Sequence, residues 1–164
     1  MPVGKDTLIY SNNGIDVRVT GTDRVVRNLR SIARNIEDNL DEGCEEAGNM
    51  LMEAIQEVMG DPSRLASNAD STIELKGDNS PLVETGSLRD GFYIQTSNRS
   101  RKHVVHVLND DPRMKWHMAG YTTSPNSAFP EAYVPSRDPV KPVMKEQSER
   151  AKEIIAEAVY RALE

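Results

Sequence analysis

One arrangement of charged residues in the sequence could support metal-dependent chemistry. Asp61 is followed, after twelve intervening residues, by Glu74-Leu75-Lys76. In metal-dependent nucleases, carboxylates hold Mg²⁺ and a lysine orients the attacking water. Such a triplet also arises readily where 28% of the residues are charged, and here it lies in a segment with the composition of a loop. A Mg²⁺-dependent nuclease using Asp61, Glu74 and Lys76 is therefore an alternative hypothesis, and a polar strand edge is the simpler interpretation.

The three histidines lack the spacing of a metal site. His103 and His106 are three residues apart in a predicted strand, so their side chains point to opposite faces of it. His117 has no cysteine and no second histidine nearby. The sequence also has no phosphate-binding glycine loop, no serine-hydrolase elbow and no Cys-x-x-Cys pair. It therefore predicts no catalytic residue, no metal and no cofactor.

The charge balance argues against a protein that binds nucleic acid by neutralising phosphates. The chain has 20 Lys and Arg against 26 Asp and Glu, which gives a formal net charge of -6. Its densest basic cluster consists of Arg99, Arg101, Lys102 and His103. We interpret this cluster as a solvated hairpin tip.

Length and composition predict one domain, 1–164, with a thin core. Of the 164 residues, 37% are hydrophobic and only 5% aromatic, so partners could complete some of the apolar surface. The single cysteine, Cys44, falls on the apolar side of a predicted helix and is expected to be a buried small hydrophobic residue. Neither a secretory leader nor an apolar run of about 18 residues is found, so we expect no membrane span and synthesis in the cytosol.

The first half of the chain predicts a hairpin followed by a long helix. Residues 7–20 alternate in polarity around Asn13-Gly14, which suits a tight turn. Apolar residues at three- and four-residue steps then predict a helix over 23–59, capped by Asp23. Gly43 and Gly48 would weaken its middle, and we expect a bend or break there.

The middle of the chain predicts a loop and then a strand pair. Residues 61–80 are rich in Ser, Asn and Asp, with a strand-like island at 72–75, and we expect a flexible loop. A short helical turn near Thr85 or Ser87, burying Leu82 and Leu88, leads into antiparallel strands at 92–96 and 103–108. A short helical piece over 114–118 and a loop at 122–130 follow.

The last predicted element is an amphipathic helix over 139–163. Asp138 can cap it and Pro139 can occupy its first turn, where a missing N–H costs nothing. The predicted fold is therefore α+β, in which a small antiparallel sheet from the 7–20 hairpin and the 92–108 pair is packed by helices 23–59 and 139–163.

Three short motifs follow one another in the second half of the chain. They are Thr85-Gly86-Ser87-Leu88-Arg89, His117-Met118-Ala119-Gly120 and Val134-Pro135-Ser136-Arg137-Asp138-Pro139. Their order, followed by a terminal helix, resembles the "Thr-Gly-x-Leu-Arg", "His-x-x-Gly" and "Pro-x-Arg-x-Pro/Phe" motifs of tail-component and virion-morphogenesis proteins of long-tailed bacteriophages. The resemblance covers about half of the chain, and Pro139 stands where that family often has a bulky aromatic residue.

The resemblance implies a structural protein of the virion neck or upper tail without catalytic residues. Such a protein would be made in the host cytoplasm and form a homo-oligomeric ring between the portal or head-closure proteins and the tail tube or terminator. Six copies would match the symmetry of a tail and twelve that of a portal. DNA would pass through an acidic lumen without specific binding. A small host-side binding or regulatory module is a further alternative.

Five residues are candidates for contacts between subunits. Arg89 and Arg137 could pair with carboxylates of a neighbouring subunit, or form hydrogen bonds and ion pairs within the chain. Trp116 and Tyr121 could anchor an interface or belong to the core. His117 is better suited to bracing a loop through a hydrogen bond than to binding a metal.

Overall fold

The structure, a computed structural model, describes residues 7–12, 15–83, 86–99 and 102–163, and the side chains of 21–83, 86–98 and 102–163. The fold is mixed α+β, as predicted, with a long helix in the first half of the chain and a second helix near its end. A small antiparallel sheet packs against the long helix.

The hairpin at the start of the chain is present, but it is not part of that sheet. Strands β1, Thr7–Asn12, and β2, Ile15–Thr20, pair antiparallel, with Leu8 opposite Val19. The predicted Asn13-Gly14 turn lies outside the described residues. The prediction of one sheet shared with the 92–108 strands was wrong, because the strands in the described residues form three separate two-stranded sheets.

Helix α1, Thr22–Met59, runs without the predicted interruption at its glycines. Gly21 is its N-cap, so Asp23 lies in the first turn and not at the cap. A β-carbon at Gly43 would stand 2.5 Å from the Ala158 Cβ, and one at Gly48 would stand 2.5 Å from Val105 Cγ2. The two glycines therefore serve close packing of the helix against its neighbours, and not a bend.

The predicted 61–80 loop contains regular structure. Leu65 is buried and its N–H donates to the Asp61 carbonyl, which closes a turn after α1. The strand predicted over 72–75 was wrong, because helix α2 occupies Asp70–Lys76 and ends at Gly77 in the left-handed conformation. The Lys76 ammonium donates to the Ser80 and Val83 carbonyls at 2.8 and 2.7 Å, which ties this helix to the following segment.

The predicted strand pair forms the sheet that packs on α1. A four-residue helix, α3, spans Ser87–Asp90, and β3, Phe92–Arg99, then pairs antiparallel with β4, Lys102–Asn109. Near the hairpin tip, the Asp41 carboxylate on α1 accepts from Asn98 and contacts the His103 ring. The tip residues Ser100 and Arg101 lie outside the described residues, and Arg101 belongs to the predicted basic cluster.

Two short elements connect the sheet to the last helix. Helix α4, Pro112–Ala119, matches the predicted short helical piece and is capped by Asp111. Strands β5, Tyr121–Thr122, and β6, Tyr133–Val134, then pair across the predicted 122–130 loop.

Helix α5, Val140–Arg161, lies along the second half of α1. The N-cap residue of α5 is Pro139, so the prediction that Asp138 is the N-cap and that Pro139 lies in the first turn was off by one position. The Asp138 carboxylate nevertheless accepts from the backbone N–H groups of Val140 and Lys141 at 3.0 and 3.2 Å, so it satisfies the first donors of the helix. The Cys44 side chain is buried, as predicted. The main core joins the end of α1 to every later helix except α2, through Ile55, Val58, Met59, Leu65, Leu88, Phe92, Met114 and Val143.

The first part of α1 lacks such cover. Its apolar side chains Val25, Val26, Leu29 and Ile32 are 57%, 43%, 60% and 42% exposed. Helix α5 ends at Arg161, whose guanidinium lies 3.5 Å from the Glu46 carboxylate, so α1 continues past the end of α5. We call residues 22–36 the arm, which is about 22 Å long at 1.5 Å per residue.

Candidate functional site

Parts of the three sequence motifs meet at one place in the fold, which we call the motif junction. Gly120 has a φ of 77°, and a β-carbon there would stand 2.9 Å from the Ser136 nitrogen, so only glycine allows this approach. The Arg137 N–H donates to the His117 carbonyl at 2.7 Å, and the Ser136 hydroxyl donates to the Met118 carbonyl at 2.5 Å. The end of α4 and the proline-arginine segment are thereby joined by a main-chain hydrogen bond and by a side-chain hydrogen bond.

Arg137 links this junction to the segment that follows α1. Its guanidinium donates to the carbonyls of Ala66 and Ser67, at 2.8 and 2.7 Å, and the residue is only 8% exposed. Asn68, also buried, donates to the Ser80 carbonyl at 3.2 Å. These bonds hold residues 66–80 against the junction and match the intrachain alternative for Arg137.

His117 lies beside Arg137 at the junction. Its ring meets the Tyr121 ring edge to face, with centroids 5.5 Å apart, and its Nδ1 is buried without a hydrogen-bond partner among the described residues. Burial and then the Arg137 charge lower the pKa of His117. The ring is therefore favoured in its neutral form, which is the form least costly to bury beside a cation.

The first motif reaches the junction through an arginine on α4. Asp111 accepts from the Arg113 N–H at 2.9 Å, and the Arg113 guanidinium donates to the Ser87 hydroxyl at 3.2 Å. The same hydrogen bonds to Arg113 lower the pKa of Asp111 to about 2. Glu84 and Thr85, at the start of that motif, lie outside the described residues.

A cavity of about 530 Å³ lies at the motif junction. Its polar wall carries cationic groups from three separate elements, and its outer wall carries side chains that are largely exposed. The cationic residues are Lys76, Arg113 and Arg137, and the exposed apolar ones are Leu75, Phe129 and Tyr133. Lys76 and Arg137 donate to backbone carbonyls, so they stabilise the walls of the cavity.

The other predicted contact residues occupy different environments. Trp116 is 58% exposed on α4, so its ring is outside the core, whereas Tyr121 is half-buried against His117. The Arg89 guanidinium bonds to the neighbouring Asp90 carboxylate at 3.0 Å, and the Arg89 carbonyl accepts from Gln56 on α1. Trp116 is thus the most accessible of the five candidates.

The residues of the nuclease hypothesis are engaged in local structure. The Asp61 carboxylate accepts from the Ser63 N–H and hydroxyl at 2.8 and 2.6 Å, which lowers the pKa of Asp61. Glu74 and Lys76 are two positions apart on α2, so their side chains do not face each other. Among the residues that the structure describes, no three His, Cys, Asp or Glu side chains are grouped to hold a metal ion.

The arm is the feature that the sequence patterns did not reveal. A continuous apolar stripe predicts a helix but not which part of the stripe another element covers. The only available signal was length, because a helix of 38 residues is longer than a small globule needs.

Comparisons with known proteins yielded no relative. No protein-family model, curated protein or solved structure matches the chain.

No helix in the described part of the chain is long and apolar enough to cross a membrane.

Proposed function

We propose that the chain is a structural virion protein of a tailed bacteriophage. It forms a ring in the neck or upper tail that joins the portal or head-closure side to the tail tube. In this role the protein acts through its surfaces and needs no active site. The interface candidates Arg89, Trp116, His117, Tyr121 and Arg137 remain predictions.

The observation that carries this proposal is the uncovered arm. Val25, Leu29 and Ile32 repeat at helical spacing on one side of α1, and none is buried within the described chain. Each large apolar side chain gains roughly 1.5–3 kcal/mol when it is fully buried. A helix that leaves such a stripe in solvent is typical of a subunit that completes its packing by assembly.

The motif junction supplies independent support. Three short motifs that are separated by 27 and 13 residues could resemble a family pattern by chance. Here Ser87, His117 and Arg137 all line the same cavity. Spatial convergence is expected if the motifs form one structural unit, and it strengthens the resemblance to the phage tail-component proteins.

The charge is compatible with a ring through which DNA slides. A net charge of -6 repels phosphates over a Debye length of about 10 Å at moderate salt. In an assembled ring we expect acidic side chains to predominate along the lumen. A lumen lined mainly by lysine and arginine would contradict this part of the proposal.

Deleting the gene from its phage tests the proposed function. We expect filled heads and separate tails that fail to join, and rescue by the wild-type gene supplied in trans. In wild-type particles, the protein should be present in a fixed copy number and be labelled by antibody at the head–tail junction. Normal infectious particles without the gene, or virions that lack the protein, would contradict the proposal.

Two other outcomes would favour the alternatives. Mg²⁺-dependent DNA cleavage by the pure protein, lost in Glu74→Ala, would indicate the nuclease. A stable complex with a host protein, together with absence from virions, would indicate a host-side regulatory module.

A further inference from the structure

The charges of α1 are separated along its length. The arm carries Arg24, Arg27, Arg30 and Arg34 against the single acid Asp23. From residue 37 to residue 57 the helix has eight acidic residues and neither lysine nor arginine. One helix therefore presents a basic half and an acidic half.

This separation does not stabilise the isolated helix. Cations near a helix N-terminus and anions near its C-terminus both oppose the helix macrodipole. The four arm arginines form no ion pair within the part of the chain that the structure describes. Among them, the Arg34 side chain donates a hydrogen bond to the Arg30 carbonyl. The arm arginines therefore retain their capacity to pair with carboxylates outside their own chain.

A shallow groove on the second half of α1 has the complementary charge. It is lined by Glu42, Glu45, Glu46, Asn49, Met50 and Glu53, all on the same helix. The four glutamates are exposed, and of these only Glu46 has an ion pair among the described residues. The groove thus combines unneutralised carboxylates with one half-buried apolar side chain.

The arm has a face that suits this groove. Val26, Arg30 and Ala33 follow one another at steps of four and three residues, so they share one side of the helix. On that side apolar groups can meet Met50, while Arg30 and the flanking Arg27 and Arg34 meet the glutamates. We propose that the arm of one copy docks onto the acidic groove of a second copy of this chain.

This contact is head-to-tail, because the arm and the groove are different surfaces of the protein. Each copy then offers one arm and one groove, and identical contacts repeat until a rotation closes them into a ring. The contact itself needs only two copies of the chain and does not depend on the proposed function. Only the closure of the contacts into a ring rests on that function. Electrostatic complementarity fixes the partner and the register, and added salt weakens it.

Charge reversal in the full-length chain tests the contact by sedimentation velocity at low and high salt. The arm variant carries Arg27→Glu, Arg30→Glu and Arg34→Glu, and the groove variant carries Glu42→Arg, Glu45→Arg and Glu53→Arg. A third protein combines all six changes. The matched control carries Lys102→Glu, Lys115→Glu and Lys145→Glu, which changes the net charge as the arm variant does at exposed positions elsewhere.

We expect wild-type self-association that weakens with salt, and a loss of roughly tenfold or more in affinity for either single-surface variant. The six-change protein should regain association, and the lysine control should associate like the wild type. Arginine and glutamate have similar helix propensities, so the arm variant should keep its helix content in circular dichroism.

Two results would overturn the contact. In one, the wild-type chain self-associates, and the arm variant and the groove variant self-associate equally well. The gene-deletion experiment can then still support a ring that forms through another surface. In the other, the wild-type chain is a monomer at every salt and protein concentration tested. The gene-deletion experiment tests the proposed function, and its interpretation does not depend on either of these two results.

Discussion

Gly43 of α1 lies against Ala158 of α5, and a β-carbon at position 43 would stand only 2.5 Å from the Ala158 Cβ. It would also stand 3.3 Å from the Ile155 Cα, so backbone as well as side chain would have to move. The seam between the two long helices therefore depends on the absence of a side chain at this position.

We expect Gly43→Ala to destabilise the protein by up to about 2 kcal/mol. Overpacking costs roughly 1–3 kcal/mol, and the better helix propensity of alanine returns about 1 kcal/mol of it. Urea unfolding followed by circular dichroism measures the change. Gly60→Ala is the control, because its β-carbon would find no atom closer than 3.9 Å and should alter stability little. A stabilised Gly43→Ala protein would mean that the helices are further apart than described.

Arg137→Ala should destabilise the protein by about 2 kcal/mol. The substitution leaves the carbonyls of Ala66 and Ser67 without their donor in a partly buried site. Hydrogen exchange should rise at residues 66–80 and not in α5. Arg150→Ala is the comparison, since Arg150 is half-exposed and, among the described residues, bonds to Glu153 and Glu157 on its own helix. Equal effects of the two substitutions would contradict the assigned role of Arg137.

His117 should make stability decrease on acidification. Its pKa is lowered in the folded protein from the ordinary 6.5, so the unfolded chain binds the proton more readily. The stabilising contribution is therefore complete above about pH 6.5 and is lost as pH falls towards the lowered value. In His117→Gln, the melting temperature should decrease less between pH 7 and pH 5. Parallel curves for the two proteins would contradict this assignment, because His103 and His106 are present in both.

Cys44 should be protected from thiol reagents while the native packing around α1 is closed. Its side chain is 6% exposed, and burial, followed by the nearby Asp41 charge, raises the pKa of its thiol. The thiolate is the reactive form, so we expect labelling of the native chain to be roughly a hundredfold slower than labelling in urea. Comparable rates in both conditions would show that the packing around this part of α1 opens readily.

The long elements of the fold could be predicted because each has a strong local pattern. Three- and four-residue apolar spacing identified α1 and α5, and Asp138 before Pro139 identified where α5 begins. Helix α2 could not be predicted in this way. It has only seven residues, and its Thr72-Ile73 pair has β-branched side chains that favour a strand. Its position depends on contacts such as those from Lys76 to Ser80 and Val83.

The motif junction depends on tertiary contacts that spacing does not encode. The order of the motifs was visible in the sequence, whereas the approach of Gly120 to Ser136 and the reach of Arg137 to Ala66 were not. The predicted bend or break at the glycines of α1 was wrong for a related reason. Helix propensity predicts a weak point at Gly43, but close packing against Ala158 has the larger effect.

The most direct test of assembly is the native mass of the purified chain, alone and mixed with the portal and tail-tube proteins of its phage. We expect one closed species of six or twelve copies, either alone or bound to one of these partners. A chain that remains a monomer under all of these conditions, with no affinity for either partner, would contradict this expectation.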